Sequence, residues 1–290
     1  MVKSADEKQG ILYVVATPIG NLEDITLRAI RVLRQVDLIA SEDTRRSGIL
    51  LKAHDIRTRQ VSLHEHNEKE RSRMIIARLQ EGQSIAYISD AGTPCISDPG
   101  CRLVEEAHRH QIRVVPVPGA SAVIAALSVS GFPAESFLFC GFLPPKESRR
   151  RNFLASVRHE EKTIVLFESP KRIVATFKDI HDLLGDRRIV LARELTKVFE
   201  EVRPGKISQM LNLEQIKEKG EYTLIIEGAS ANDRIPSDDE IREMLSRLFS
   251  DRSVSLRDAV REISCQTRVA RKKIYEIAVE LRRLAGEKTT

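Results

Sequence analysis

Residues 11–35 read ILYVVATPIGNLEDITLRAIRVLRQ, and this stretch decides the fold. An apolar, β-branched run at Ile11–Ala16 predicts a strand. The Gly/Pro loop Thr17-Pro18-Ile19-Gly20-Asn21 ends it, and Thr26–Gln35 follows with Leu27, Ile30, Val32 and Leu33 on the apolar side of a helix. Further strands are expected at Asp37–Ser41, Ser84–Ser89 and Arg113–Val117, with helices at Arg71–Glu81 and Cys101–His110. Short apolar runs alternating with helices predict a mostly parallel sheet covered on both faces.

Pro116, Pro118 and Gly119 break this rhythm, and a new helix is expected over Ala120–Ser130. The first α/β domain is therefore assigned to residues 11–118 and a second to 119–229. The second block has strands at Ser136–Cys140, Thr163–Phe167, Arg188–Arg193 and Tyr222–Glu227, and helices at Ser148–Arg158, Lys171–Leu184 and Ile207–Ile216. Val190–Glu194 and Phe199–Arg203 are separated by too few residues for a helical crossover, which predicts an antiparallel pair in a mixed sheet. After a polar linker, Gly228–Pro236, residues 234–290 hold three helices and no strand: Ser237–Phe249, Ser255–Ser264 and Thr267–Leu284, with Ser255 and Thr267 as N-caps.

Composition narrows the class. Of 290 residues, 41% are hydrophobic and 31% charged, with a net charge of +5, which describes a folded protein rather than a disordered one. The mild basic excess permits a polyanionic partner. Aromatic residues make up only 4% and Trp is absent, which argues against base stacking as the main grip on single-stranded nucleic acid. Cys95, Cys101, Cys140 and Cys265 form no CxxC and read as reduced thiols. Met1–Gly10 is charged and lacks an apolar signal core, and no run approaches a membrane span. A cytoplasmic protein is expected.

The chemistry is expected where loops interrupt the strands. Residues 17–21, Asp90-Ala91-Gly92-Thr93-Pro94 and Pro116-Val117-Pro118-Gly119-Ala120-Ser121 each follow a strand, at the sheet edge where α/β proteins bind ligands. Gly lets backbone amides approach a ligand and Pro stiffens the loop, so the three together suggest a pocket built from main chain. Neither a GxGxxG opening a helix after the first strand nor a GxxxxGK[ST] occurs, so a Rossmann dinucleotide site and a P-loop are unsupported.

Ordered motifs carry a more specific resemblance. LYVVATPIGNLEDITLRAIRVL (Leu12–Leu33), IASEDTRRSGILL (Ile39–Leu51), SLHEHNE (Ser62–Glu68), YISDAGTPCISDPGCRLV (Tyr87–Val104), VVPVPGASAVIAAL (Val114–Leu127), FLFCGFLPPK (Phe137–Lys146), FESPKRI (Phe167–Ile173) and ARELTKVFEE (Ala192–Glu201) resemble the tetrapyrrole-methylase superfamily in its ribosomal-RNA branch. That resemblance implies two α/β domains with S-adenosylmethionine in the cleft between them, and a homodimer. It places cofactor contacts on Pro18, Ser89, Asp90, Ala91, Gly92, Thr93, Pro94, Ile96, Ala120 and Ser121, with Phe142, Leu143, Ala192, Arg193 and Thr223 closing the site. It implies 2′-O-methylation of a cytidine near the decoding centre of small-subunit (16S) ribosomal RNA, free or in the assembled 30S particle. Tetrapyrrole-methylating members usually carry Gly-Asp-Pro where this chain has Asp90-Ala91-Gly92-Thr93-Pro94. Together with Ser41-Glu42-Asp43-Thr44-Arg45, that departure favours RNA over a corrin ring. A small-tetrapyrrole methylase and a non-catalytic RNA-binding assembly factor are the competing readings. The basic C-terminal helices speak against the first and the intact set of three loops against the second.

Methyl transfer to a ribose hydroxyl is an in-line displacement with a neutral leaving thioether, so the protein must align the reactants and help remove a proton. Glu42, Asp43, Arg45, Glu168, Lys171 and Arg193 are the catalytic candidates, with Glu194 and Lys197 beside the last of them. None is singled out as the base, and for the 42–45 cluster a helix-start charge cluster is the plainer alternative. His64 and His66, with Glu65 and Asn67, read as a structural loop or as a substrate or dimer contact; no metal is expected. Arg149, Arg150 and Arg151 are either a solvated helix start or an RNA-backbone contact. From Arg234 on, 13 Lys/Arg stand against 10 Asp/Glu, and Arg268, Arg271, Lys272 and Lys273 follow a short turn as in a helix-turn-helix. That segment either grips RNA or packs as a small bundle on the catalytic domains.

Overall fold

The computed structural model describes residues 10–211, 219–230, 236–249, 254–267 and 269–284. The decisive stretch folds as read. β1 (Ile11–Val15) is an interior strand of a parallel sheet, and α1 (Leu27–Gln35) returns over it. A 3-10 turn at Leu22–Asp24, capped by the Asn21 side chain, lies between them, and the Thr26 hydroxyl caps α1 by accepting from the Ala29 amide.

Around β1 stand β2 (Leu38–Ser41), β3 (Gln60–Ser62), β4 (Ile85–Ile88) and β5 (Arg113–Val117), in the order β3-β2-β4-β1-β5, all parallel. Strand alternation divides their side chains between two cores. Val15, Ile39, Ala86 and Ile88 face α1 and α2 (Thr44–Ala53), whereas Leu12, Leu38, Ala40, Ile85 and Tyr87 face α3 (Glu68–Gln80) and α4 (Cys101–Arg109). No strand is expected where β3 lies, and α2 is foreseen only at its start, in the helix-start reading of residues 42–45. α2 buries only Ser47, Leu50 and Leu51, and β3 has three residues.

The chain crosses to the second sheet through α5 (Ala122–Ser128). Its Val123, Ala126 and Leu127 pack on Val165, Val190, Ala192 and Ile225, which belong to strands of that sheet. The strands are β6 (Phe137–Phe142), β7 (Thr163–Glu168), β8 (Arg188–Arg193), β9 (Glu201–Lys206) and β10 (Tyr222–Ile226), ordered β6-β7-β10-β8-β9. Only β6–β7 is parallel; the β8–β9 pair is antiparallel, as its short connection requires. α6 (Glu147–Ser156), α7 (Ile173–Leu184) and α8 (Ile207–Leu211) cover the opposite face. The fold is thus α/β with one parallel and one mixed sheet.

α9 (Asp238–Phe249), α10 (Leu256–Gln266) and α11 (Arg271–Leu284) surround a core of their own, which includes Ile241, Leu245, Ile263 and Ile274. Ser255 caps α10, its hydroxyl accepting from the Asp258 amide. Thr267 is not an N-cap: it closes α10, its hydroxyl donating to the Ile263 carbonyl at 2.6 Å, and α11 starts only at Arg271. Arg268 lies outside the described residues.

Candidate active site

The three loops meet at the C-terminal edge of the parallel sheet and are tied to one another. Thr17 and Gly92 exchange backbone hydrogen bonds of 2.9 and 3.0 Å, and the Thr93 hydroxyl donates to the Ala120 carbonyl at 3.3 Å. The first loop also touches the second lobe. The Asn21 amide donates to the Thr196 hydroxyl at 3.1 Å, and a Cβ on Gly20 would stand 2.5 Å from Lys197 Cγ and 3.0 Å from the Leu195 carbonyl oxygen. Only glycine admits that approach.

Between the lobes these contacts frame a cavity of about 340 Å³. The first lobe supplies Ile19, residues 91–93 and Ile96–Asp98, and the start of α5 from Ser121, where the chain crosses over, adds to them. The second supplies Phe142 at the end of β6, Phe167–Pro170 at the end of β7, and Gly220–Thr223 at the start of β10. β10 runs antiparallel to β7, so its beginning lies beside β7's end. Much of the lining is backbone and apolar side chain. Phe142 and Ile96 are 58% and 47% exposed, apolar surface left open at the cleft as a bound ligand would cover it. Backbone strain gathers here too, with Cys95 and Ser97 held at φ +70° and +63° in the second loop.

Of the residues expected to hold a cofactor, Ala91, Gly92, Thr93, Ile96, Ser121, Phe142 and Thr223 line this cavity. Pro18, Ser89 and Asp90 line a smaller neighbouring one of about 140 Å³, together with Arg46. Pro94 is buried in the second loop and Ala120 contributes its carbonyl. Leu143 and Ala192 turn their side chains into the cores of the second lobe, Ala192 opposite Thr223 across the β8–β10 pair. Arg193 is buried, with Nε donating to the Lys219 carbonyl at 3.1 Å.

The catalytic candidates separate. Asp43 caps α2 and forks with Arg45, whose hydrogen bonds hold the Asp43 carboxyl down at about 2; both stay ionised. Glu42 is pushed above the ordinary carboxylate range, first by burial, and its Oε2 accepts from the Asp90 amide at 3.3 Å. The Glu168 carboxylate lines the cavity but is fully engaged, accepting from the Ser169 amide, Arg172 Nε and the Thr176 hydroxyl at 2.6–2.7 Å. Lys171 is exposed in the following turn. Lys197 bridges Glu194 and Glu221 at 2.9 and 3.1 Å, and Glu221 lies on the cavity rim.

Sequence reasoning passed over two carboxylates in the cavity, Glu221 at the start of β10 and Asp98, whose setting Ser97-Asp98-Pro99-Gly100 reads as a turn. Burial raises the pKa of Asp98 to about 6, the neighbouring charges of Glu42 and Asp90 add to the shift, and a hydrogen bond from Ser89 opposes it.

Among the basic residues, Arg150 corrects the expectation of an RNA contact. It is buried, with Nε on Asp179 at 2.7 Å. Arg151 binds Asp179 and Asp182, and Arg149 is the exposed member of the run. In α11, Arg271 and Lys272 are exposed, and Lys273 pairs with Asp238 at 2.6 Å. His64 and His66 stack edge to face at 6.0 Å, with Asn67 bonded to His64. Among the described residues no cluster of three ligating side chains includes them.

Residues 11–211 match the model of the Tetrapyrrole (Corrin/Porphyrin) Methylases, and the chain belongs to that family. The fold agrees: the structures of uroporphyrin-III-C-methyltransferase from Thermus thermophilus and of diphthine synthase superimpose with TM-scores of 0.52 and 0.57 at 22% and 13% identity. Each covers 75% of this chain, and 94% and 89% of its own length is matched. More particularly, the chain is similar to proteins named ribosomal RNA small subunit methyltransferase I. The one from Synechocystis sp. is 44% identical over 94% of this chain and 98% of its own. The Escherichia coli O157:H7 protein is 47% identical over 81% and 84%. The Thermotoga maritima protein is 49% identical over 76% of this chain and 99% of its own length, so about a quarter of this chain has no counterpart in it.

Proposed function

We propose that this chain methylates the ribose 2′-hydroxyl of a cytidine in small-subunit ribosomal RNA, using S-adenosylmethionine held in the inter-lobe cavity. The observation that carries the reading is the cavity itself: backbone loops of one lobe and the strand ends of the other enclose it, in a chain 41–49% identical to proteins named for this class of activity.

The residues fit the cofactor. Gly92, at φ +74°, holds its backbone against the cavity where a Cβ would press to 3.3 Å from Ile19 Cγ2. The amides and carbonyls of 91–93 and 121–123 suit its polar ends, and Phe142, Ile96 and Val123 suit the adenine and the methylene chain. When bound, the cofactor supplies an electrophilic methyl group on a sulfonium. The chain's own tasks are alignment, exclusion of water and receipt of the hydroxyl proton. The Asn21–Thr196 contact fixes the spacing of the lobes, and the buried Glu168–Arg172–Thr176 set fixes the β7–α7 corner beneath them.

RNA is read as approaching over the exposed cations Arg45, Arg149, Arg271 and Lys272. Two copies of the chain are read as acting together. Small ribosomal subunits lacking the methyl group, incubated with the protein and labelled S-adenosylmethionine, test the proposal. Label on one cytidine ribose is expected; label on a base would overturn the chemistry.

A further inference from the structure

We infer that Asp98 is the group that takes the proton from the attacking ribose hydroxyl, an inference that rests on the function proposed above. Three carboxylates line the cavity: Asp98, Glu168 and Glu221. Glu168 is the poorer acceptor: both of its oxygens already take hydrogen bonds, and its ion pair with Arg172 stabilises the charged form. Glu221 is held by Lys197 on the solvent side, its side chain 73% exposed. No histidine lines the cavity among the described residues. Asp98 remains, half-buried, with the Ser89 hydroxyl as the hydrogen-bonding group acting on it.

Its position matches the task. Asp98 lines the large cavity, and Ser89 lines the small one that also holds Pro18, Asp90 and Arg46. Both residues belong to the loop between β4 and α4, which therefore contributes to the walls of both cavities. The loop that carries Asp98 is held in the left-handed backbone region at Cys95 and Ser97, a strain of the kind that clusters at functional sites. The surroundings favour a proton acceptor. Glu42 and Asp90 face Asp98 from the ends of β2 and β4, and Tyr87 and Cys95 are close enough to feel its charge. Arg46, the cation in the small cavity, is already paired with Asp90 at 3.2 Å, and across the cleft Arg172 and Lys197 are paired with Glu168 and with Glu194 and Glu221. A carboxyl titrating at about 6 is ionised at neutral pH yet basic enough to share a proton. In the step, the hydroxyl O–H bond breaks toward Asp98 Oδ as the oxygen bonds the methyl carbon. The carbon–sulfur bonding pair stays on sulfur, which leaves as a neutral thioether, and Asp98 later releases the proton to water.

The test compares the full-length protein with Asp98→Asn and Ser89→Ala. It measures cofactor affinity by calorimetry, ribose labelling of small subunits against pH, and carboxyl titration by 13C NMR of aspartate-labelled protein without ligand. For Asp98→Asn, affinity for S-adenosylmethionine is expected within about threefold of wild type and labelling reduced about 10²- to 10⁴-fold. A resonance titrating near pH 6 should vanish in this variant. Ser89→Ala removes a bond that stabilises the carboxylate, so the acidic limb of its rate profile should move to higher pH. Three results overturn the inference: Asp98→Asn labelling ribose at the wild-type rate, affinity falling in step with rate, or an acidic limb unmoved in Ser89→Ala. Wild-type protein that binds cofactor and labels no ribose overturns the proposed function itself.

Discussion

Asn21 and Thr196, 175 residues apart, join the two lobes through a 3.1 Å hydrogen bond from the Asn21 amide to the Thr196 hydroxyl. Thr196 sits at φ +66°, a conformation costly for a β-branched residue, so the contact is held by the fold around it. Replacing Thr196 with Val removes the acceptor, a loss of about 1 kcal/mol. Cofactor affinity measured by calorimetry should fall about fivefold. An unchanged affinity would show that the lobes are spaced by other contacts.

Gly92 leaves no room for a branched side chain. Gly92→Val combines a left-handed backbone with contact against Ile19, and cofactor binding should weaken by at least about 100-fold. Normal binding by this variant would mean that the pocket has been placed wrongly.

Arg149 and Arg150 are neighbours with opposite fates. Removing the buried Arg150 leaves Asp179 with Arg151 alone, which should cost about 3 kcal/mol and appear as a lower Tm. Arg149→Ala should leave Tm within about 1 °C, as surface changes usually do, while weakening RNA binding and flattening its salt dependence. Equal Tm losses would contradict the burial of Arg150.

The raised pKa of Asp98 also has a consequence for stability. The folded protein binds this proton more tightly than the unfolded chain does, so stability falls as pH rises from about 4 to about 6. Asp98→Asn removes that cost. At pH 8 the variant should be more stable than wild type by up to about 1 kcal/mol, a modest figure because water screens a half-exposed group; at pH 4 the two should unfold alike. A variant less stable at pH 8 would reverse the sign and refute the shift.

The C-terminal segment offers a fifth test. Without residues 234–290, capture of small subunits should weaken while affinity for S-adenosylmethionine stays the same. Equal loss of both would make the segment structural support for the lobes.

Much of the fold was legible because strand alternation and loop composition are local properties. Leu12 and Val15 already point to opposite faces of the sheet, and the Gly/Pro loops mark the edge where the cavity lies. The body of α2 escaped notice because its large apolar residues, Ile49, Leu50 and Leu51, are consecutive and show no helical repeat, and β3 because three residues make no pattern. Thr267 was assigned to the wrong end of a turn, since a hydroxyl serves a helix start or bonds back to its last turn equally well. Which arginine of the 149–151 run faces inward is decided by Asp179, 29 residues beyond Arg150. Asp98 was hidden because the burial that perturbs it is set by the fold, with Glu42 arriving from the end of β2 and Ser89 and Asp90 brought back to it by the looping of one segment.

The self-contained core of α9–α11 has a consequence for how such enzymes diversify. Its buried cluster includes no side chain from either sheet, so it behaves as a cartridge that can be fitted or removed without repacking the catalytic lobes. The Thermotoga maritima relative, matched over 99% of its own length while leaving about a quarter of this chain without a counterpart, shows a shorter design under the same name. A segment with its own core can be kept or lost in a lineage while the packing of the two sheets stays intact.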